Sequence, residues 1–283
     1  MPEWMIHVLE TPEEMIAVED LQRLVWQAPD IEIVPKDLLL AAVHNGGLAI
    51  GACVGKDLVG AVFGFPGFYS TPDGPRLKQH SHLLAVHPDW RSKGIGFALK
   101  RAQWQLVRKQ GLDRITWTYD PLLSRNAHLN IARLGAVCNT YLRSEYGEMC
   151  DGLNAGLPSD RFQVDWWLNT KRVERRLSRR SRPVLALAHY RLAEATLLEA
   201  HLDRELVVRP PEEMLPLVGT LVLVEIPADF LALKAKDLSL ARDWRFYIRE
   251  VFEKAFAAGY LVTDFVYAEG RSFYVLTFGG TTL

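Results

Sequence analysis

A glycine turn at the start of a helix has the clearest chemical meaning in this sequence. Gly94 and Gly96 follow two basic residues, Arg91 and Lys93, and open a segment whose apolar residues recur at helical spacing. Backbone N–H groups at a helix N-terminus have no intrahelical acceptor, and the helix dipole adds positive potential there. Glycine lets phosphate oxygens approach the backbone closely. The pattern therefore predicts a phosphate or pyrophosphate site at this turn.

The surrounding pattern distinguishes this turn from other glycine loops. A Gly-x-Gly pair alone would also suit a tight turn with close helix–strand packing. The sequence lacks the third glycine of a dinucleotide fingerprint and the Gly-Lys-Ser/Thr of a P-loop. Residues 86–99 have the pattern Val-x-Pro-x-x-Arg-x-x-Gly-x-Gly-x-x-Leu, which resembles motif A of the GNAT superfamily of N-acyltransferases. The resemblance covers about residues 6–170.

The resemblance implies a site for acetyl-CoA or another acyl-CoA. Backbone groups of Ala85 and Val86 are expected to bind the pantetheine arm where their strand leaves its neighbour. Asn126 matches a family asparagine that touches the same arm, and it would also suit an ordinary helix N-cap. The pyrophosphate is expected on the loop of Arg91, Ser92, Lys93, Gly94, Ile95 and Gly96.

The general acid is the point where the sequence departs from the family. Many GNAT proteins have a tyrosine four residues before a Gly-Phe pair, but this chain has Ile131 there, and isoleucine cannot donate a proton. We rank Tyr141 first as a substitute because it follows on the next strand. Direct transfer to a neutral amine, with solvent protonating the thiolate, stays open. The other substitutes by position are His128, Asn130 and Tyr146.

His80 and His82 are the first candidates for the general base. They lie two residues apart on the strand that leads to Val86, so both side chains should point to one face. A neutral imidazole there could remove a proton from the amine, although two strand histidines without a role would give the same pattern. Asp120 and Asp165 are further candidates.

Arg161 is the candidate for substrate binding. It opens the last predicted strand of the core and could hold a substrate carboxylate with two hydrogen bonds. The pair Asp160-Arg161 would equally suit a structural clamp on the preceding loop. The segment Gly-Leu-Pro-Ser-Asp-Arg resembles a bacterial GNAT-like subfamily with an added C-terminal domain, which implies N-acylation, including N-succinylation, of amino acids.

Helix and strand signals predict an α/β fold with a mixed sheet. The elements follow the order β-α-α-β-β-β-α-β-α-β-β, which resembles the GNAT order. A basic run at 171–182, with seven basic residues and one acidic residue, marks a change of composition. We predict a GNAT-like acyl-CoA-binding domain over 1–170, a basic linker helix over 171–183 and a C-terminal α/β domain over 184–283.

The C-terminal part suggests a degenerate half-repeat of one β-α-β unit. Gly111 lies eight residues before Tyr119, and Gly259 lies eight residues before Tyr267. Each glycine follows a long amphipathic helix. The glycine turn itself is missing from the second copy, so the hypothesis is a copy kept for architecture.

Composition excludes several classes of protein. The 283 residues are 49% apolar and 24% charged, with a net charge of −1, so no global attraction to nucleic acid is expected. No apolar run approaches the ~20 residues that span a bilayer, and the N-terminus lacks a signal-peptide pattern. Cys53, Cys138 and Cys150 have no metal spacing and are few enough for a reducing compartment. A cytoplasmic protein without a metal or membrane partner is expected.

The sequence therefore predicts an acyl-CoA-dependent N-acyltransferase that acts on a small-molecule amine, such as an amino acid, with an acetyl, succinyl or other short acyl group. Ile131 motivates the alternative of a GNAT-like module that binds CoA as a sensor or scaffold with little turnover. The basic run could contact nucleic acid or a second phosphate of CoA, but such runs are usually solvated helix faces. A homodimer stays open.

Overall fold

The computed structural model describes residues 3–27, 29–147, 155–178, 185–204 and 207–279, and these form two compact units. One unit extends to Trp117, and the other begins at Thr118. This division falls well before the boundary that composition predicts at residue 170. The three predicted domains stay a prediction.

The first unit is a mixed sheet with helices on it. Its sheet has the strand order β1-β2-β3-β4-β5, antiparallel except for the parallel pair β4–β5. The last two residues of β5 belong to the second unit. The elements are β1 (Met5–Val8), α1 (Pro12–Trp26), α2 (Lys36–His44), β2 (Leu48–Val54), β3 (Asp57–Thr71), β4 (Gly74–Val86), α3 (Ile95–Lys109) and β5 (Arg114–Tyr119).

Local signals set the ends of the first two helices. Thr11 and Glu14 form a capping box at the start of α1, with the Thr11 amide 2.9 Å from a carboxylate oxygen of Glu14. Helix α2 ends at His44, and Gly46 just beyond it adopts a φ of +88°. Both helices pack on the sheet through a core that includes Met15, Leu39 and Phe63.

Helix α3 packs closely on β3 because Gly60 has no side chain. A Cβ at Gly60 would lie 2.8 Å from Cγ2 of Ile95, so any larger residue would push the first turn of α3 off the sheet. The β3–β4 hairpin is long, since its pairing continues to Thr71 and Gly74. This packing fixes the glycine turn directly above the end of β4.

The second unit contains the rest of the described elements. Its main sheet has the order β7-β6-β12-β13-β11-β8, and β9 pairs with β10 separately. The elements are α4 (Ser124–Ala127) with a π-helical continuation (His128–Arg133), β6 (Val137–Leu142), β7 (Arg161–Trp167), α5 (Lys171–Leu177), α6 (Leu187–Leu192), β8 (Thr196–Leu198), β9 (His201–Leu202), β10 (Val208–Arg209), β11 (Leu221–Ile226), α7 (Phe230–Lys236), α8 (Leu238–Ala257), β12 (Tyr260–Ala268) and β13 (Arg271–Phe278).

The half-repeat hypothesis needs a correction. It equates β11, α8 and β12 with β4, α3 and β5. Strands β4 and β5 pair directly, whereas β13 lies between β11 and β12 and is antiparallel to both. The second unit instead contains two helix–strand–strand arrangements, one ending in β6 and β7 and one ending in β12 and β13, joined by antiparallel pairing of β6 with β12.

The predicted fold class is confirmed. The order β-α-α-β-β-β-α-β-α-β-β runs from β1 to β7, and an α/β extension follows it. Within the described ranges, no helix is long and apolar enough to cross a bilayer. Those ranges also contain no cluster of three His, Cys, Asp or Glu residues that could hold a metal ion.

Candidate active site

The glycine turn presents exposed backbone at the N-terminus of α3. Residues 91–94 are exposed, and Gly94 is the N-cap, with a φ of +84° and no side-chain hydrogen bond to the helix amides. Ser92 also has a left-handed φ, of +62°. Lys93 lies over the Trp90 ring at 4.3 Å. The turn therefore combines helix dipole, exposed backbone and two cationic side chains, which suits a bound phosphate.

Strand β4 has an unpaired stretch of edge beside this turn. In its parallel pairing with β5, Gln79 lies opposite Ile115 and His80 lies opposite Thr116. Its pairing with β3 continues further, to Val86 opposite Gly60. Beyond His80, the β5-facing backbone has no strand partner among the described residues. This stretch contains Ala85, which pairs with Ala61 of β3, and Val86, whose carbonyl accepts from Arg91 Nε at 3.4 Å. An extended chain such as a pantetheine arm would add hydrogen bonds to the backbone groups that face this edge.

A β-bulge falls at His82. Phe63 pairs with Leu83 and the next residue of β3, Gly64, pairs with Ser81, so His82 is the extra residue. Bulges redirect side chains and local amides and are frequent beside active sites. The bulge lies at the point where β4 has left β5.

The two histidines lie together, as their spacing predicts. Their ring centroids are 6.1 Å apart, and both rings contact Phe65. Burial and the charges of neighbouring groups lower the pKa of His80 to about 4, and burial also lowers the pKa of His82. Both imidazoles are therefore neutral at pH 7, the form that accepts a proton. Part of the His82 side chain reaches solvent, although its ring packs against Phe63 and Phe65, and His80 is half-buried.

A buried polar network occupies the α3 side of β4 at the same level. Lys100 Nζ donates to Ser81 Oγ at 3.0 Å and to Gln103 Oε1 at 2.8 Å, and it lies 3.8 Å from the Trp117 ring centroid. Gln103 in turn donates to Gln79 at 2.7 Å. Burial lowers the pKa of Lys100 well below its usual value. The network ties together the residues at which β4 and β5 stop pairing.

The family's tyrosine position lies in a π-helical turn. Ile131 is fully buried there. Asn126 is exposed and lies inside α4, whose N-cap is Leu123, so the N-cap interpretation of Asn126 is wrong. Its predicted contact with the CoA arm stays a prediction.

The Tyr141 hydroxyl is engaged by a buried carboxylate. It donates to Asp160 Oδ2 at 2.8 Å, and burial together with the Asp160 charge raises the pKa of Tyr141 above its ordinary value. A phenol held in this way is a weak proton donor. Its predicted catalytic role therefore has less support than its position along the chain suggested.

Arg161 lies against an exposed tyrosine in the second unit. Its Nη1 donates to the Asp160 carbonyl at 2.9 Å, and its guanidinium lies 5.4 Å from the Tyr146 ring centroid. Tyr146 is 49% exposed, and its hydroxyl lies 2.6 Å from Thr118 Oγ1. The clamp partner of Asp160 is not the Arg161 side chain but Arg249, with two bonds of 2.8 Å. The glycine-rich part of this loop, residues 152–154, lies outside the described residues.

The alternative bases and the basic run have structural contacts. Asp120 accepts two hydrogen bonds from the Arg245 guanidinium and one from the Leu122 amide. In α5, Arg172 donates to carbonyls of Gly135 and Thr263, and Arg176 donates to the Ala132 carbonyl and to the Asp264 carboxylate. These two arginines therefore hold neighbouring elements together. Asp165, the other alternative base, is buried, and residues 179–182 lie outside the described residues.

Sequence reasoning missed Arg245 and Arg249. Both lie on α8, one turn apart, with buried Ala241 and Ile248 on the same face. A charged residue within the apolar stripe of an amphipathic helix is the signal that could have found them, because burial of such a charge requires a partner. The same signal marks Lys100 between the buried residues of α3.

The fold and the turn together define an α/β protein with an exposed helix N-terminus beside an open strand edge. Residues 15–135 match the model described as Acetyltransferase (GNAT) family. The chain thus carries a domain of the GNAT acetyltransferase family over these residues, as the sequence resemblance predicted. No curated protein matches the chain.

Solved structures of GNAT acetyltransferases are also similar to this chain. The ribosomal-protein-S18-alanine N-acetyltransferase from Escherichia coli has 15% identity and a TM-score of 0.45, over 59% of this chain and 96% of its own. An aminoglycoside 6'-acetyltransferase type Ii has 17% identity and a TM-score of 0.45, over 59% and 99%. Naa50 from Arabidopsis thaliana, in complex with the bisubstrate analogue CoA-Ac-MVNAL, has 15% identity and a TM-score of 0.44, over 57% and 97%. The match of residues 15–135 to the family model, and not these structural similarities, supports the family of this domain.

Proposed function

We propose that this protein is an acyl-CoA-dependent N-acyltransferase that acts on the amine of a small molecule bearing a carboxylate, such as an amino acid. The observation that carries the proposal is the exposed, uncapped glycine turn of α3 beside the unpaired edge of β4. In a CoA molecule, the pyrophosphate would bind at the glycine turn, and the amide-containing pantetheine arm would bind along the edge of β4. Arg91 and Lys93 would neutralise the phosphate charge, and Ala85 and Val86 would pair with the arm.

His82 is the favoured proton acceptor. It is exposed at the bulge, and its lowered pKa leaves the imidazole neutral at pH 7. His80 is the second candidate, although a pKa of about 4 makes it a weaker base. Because the Tyr141 proton is held by Asp160, solvent is the simpler source of the proton for the CoA thiolate.

Arg161 is proposed to hold the carboxylate of the acceptor, with the Tyr146 ring beside it. A guanidinium binds carboxylates with two parallel hydrogen bonds, and an aromatic ring can stack on its face at the same time. None of these contacts identifies the acyl group, so both acetyl-CoA and succinyl-CoA are tested as donors.

Free thiol release tests the proposal. Acetyl-CoA and succinyl-CoA are incubated with each amino acid, and with amines of similar shape that lack the carboxylate. We expect thiol release with an amino acid, and an Arg161→Gln variant should raise KM for that acceptor about tenfold, the effect of losing one charge-assisted bond of ~1.4 kcal/mol. Turnover of the carboxylate-free amines should change little.

CoA binding without turnover is the second candidate function, favoured by the burial of Ile131 at the family's tyrosine position. Calorimetry with CoA separates the two. Micromolar binding together with no thiol release from either acyl-CoA, for every amine, would support the sensor or scaffold.

A further inference from the structure

Asp160 is a fully buried carboxylate with four hydrogen bonds. Arg249 donates to both of its oxygens at 2.8 Å, the Tyr141 hydroxyl donates at 2.8 Å and the Ser144 amide at 3.0 Å. Burial alone would raise the pKa of Asp160, but bonds from Arg249, Ser144 and Tyr141 outweigh burial and lower it. Asp160 is therefore a charged anchor at the start of β7.

This anchor shapes the chain that follows β6. Ser144 has a left-handed φ of +46°, which its amide bond to Asp160 helps to hold. The next two amides, of Glu145 and Tyr146, donate to the carbonyl and the hydroxyl of Ser159 at 3.1 and 3.0 Å. The chain leaves this turn with Tyr146 placed against Arg161 and Thr118.

The cation that holds the anchor comes from the C-terminal part of the chain. Arg249 lies on α8, and Arg245, one turn earlier, makes a second buried ion pair with Asp120 at the end of β5. One helix thus fixes two carboxylates that lie in the predicted acyltransferase domain. Phe252 and Phe256 of the same helix pack on Phe162 at 4.6 and 5.7 Å between ring centroids.

We propose that Arg249 is a positioning residue for Arg161, the proposed acceptor-binding residue of the second unit. Through Asp160 it sets the loop of Ser144–Gly147, and that loop places Tyr146 beside Arg161. The C-terminal segment would therefore complete acceptor recognition, instead of serving as a separate binding module. The inference rests on the proposed function for its kinetic consequence, but its structural consequence can be measured without turnover.

The test uses Arg249→Gln in the full-length protein, with Arg242→Gln as the matched control because Arg242 is exposed on the same helix. We expect Arg249→Gln to lower kcat/KM for the amine about 100-fold, since small displacements of positioned groups have effects of this order. The Kd for CoA should stay within about twofold of the wild-type value, because the glycine turn and β4 lie in the first unit. Arg242→Gln should leave both quantities unchanged.

Two further measurements separate positioning from general loss of structure. Hydrogen exchange of the 144–146 amides should accelerate in Arg249→Gln, while exchange in α3 stays as in the wild type. Arg249→Lys keeps the charge but not the two-bonded fork, and it should recover activity only in part. If Arg249→Gln does not fold, Asp160→Asn provides the same readouts, since it keeps the shape but weakens the anchor.

The outcomes distinguish the two proposals. If the wild-type protein releases no thiol with any amine, the proposed function fails, and hydrogen exchange still decides whether Arg249 holds the loop. Wild-type exchange at 144–146 in Arg249→Gln would overturn the positioning role. Equal losses of CoA affinity and acceptor turnover would also overturn it, because they would indicate a global defect.

Discussion

At the scale of the residue, the proposed site presents two histidines in their neutral forms. The pKa values of His80 and His82 are both lowered, so the two imidazoles are neutral at pH 7. An uncharged imidazole is the form needed for proton removal. Keeping these imidazoles neutral makes the folded protein less stable at pH values at which they would be protonated in the unfolded chain.

His80 should make stability depend on pH. Its pKa is about 4 in the folded protein and 6.5 when unperturbed, so the unfolded state binds more protons between these values. The stabilising contribution is complete above pH 6.5 and is lost as the pH falls toward 4. Urea unfolding at pH 7.5 and 4.5 should show a smaller pH dependence in His80→Gln than in the wild type. If the free energy of unfolding depends on pH equally in both proteins, the pKa of His80 is not lowered in the folded state.

Arg91 should contribute to CoA affinity and not to folding. Removing one exposed phosphate partner is expected to weaken CoA binding about tenfold, ~1.4 kcal/mol. Calorimetry with Arg91→Gln measures this, and the effect should shrink at high salt. Arg76→Gln, an exposed change on the β3–β4 hairpin, is the control. If both variants bind CoA with the same affinity as the wild type, the CoA phosphate does not bind at this turn.

At the scale of the element, helix α5 acts as a brace. Its arginines reach the carbonyls of Ala132 and Gly135, at the end of the π-helical segment, and the β12 residues Thr263 and Asp264. The π-helical turn leaves carbonyls without the usual α-helical partners. Two of the basic residues of this helix, Arg172 and Arg176, therefore contact carbonyls and a carboxylate inside the protein.

Arg176 and Arg175 give a direct comparison. Arg176 is half-buried with two kinds of partner, whereas Arg175 is exposed. Arg176→Gln should lower the free energy of unfolding by about 2 kcal/mol, and Arg175→Gln should stay within about 0.5 kcal/mol of the wild type. Chemical denaturation measures both. If both variants lower the free energy of unfolding by similarly small amounts, α5 is only a solvated basic helix.

At the scale of the whole molecule, the C-terminal segment supplies structure to the second unit. Strand β12 pairs with β6, Tyr274 packs on Phe162 at 5.4 Å, and α8 provides Arg245 and Arg249. Without this segment, Asp120 and Asp160 would lose the guanidinium groups that neutralise them. Unpaired buried charge is strongly destabilising.

A chain that ends at Ser178 should therefore not form β6 and β7. We expect its amides in these two strands to exchange hydrogen rapidly, whereas in the full-length protein they should be protected. Hydrogen exchange followed by mass spectrometry makes the comparison at matched pH and temperature. Protected β6 and β7 amides in the shortened chain would show that the predicted domain 1–170 folds alone.

The sequence by itself determined the elements of the first 167 residues and the glycine turn. These depend on local signals: the Thr11–Glu14 capping box, the glycine after α2 and the basic Gly-x-Gly pattern at 91–96 act within a few residues of themselves. The order of the C-terminal strands was not predicted, because the position of β13 between β11 and β12 depends on long-range pairing that no local pattern encodes.

The tertiary structure alone decided the partners of the buried charges. Nothing near Asp160 in sequence identifies Arg249 as its partner, and nothing near Asp120 identifies Arg245. It also decided that the Tyr141 hydroxyl faces a carboxylate and that β4 separates from β5 after His80. These contacts join residues far apart in the chain, and their energies depend on burial, which exists only after folding.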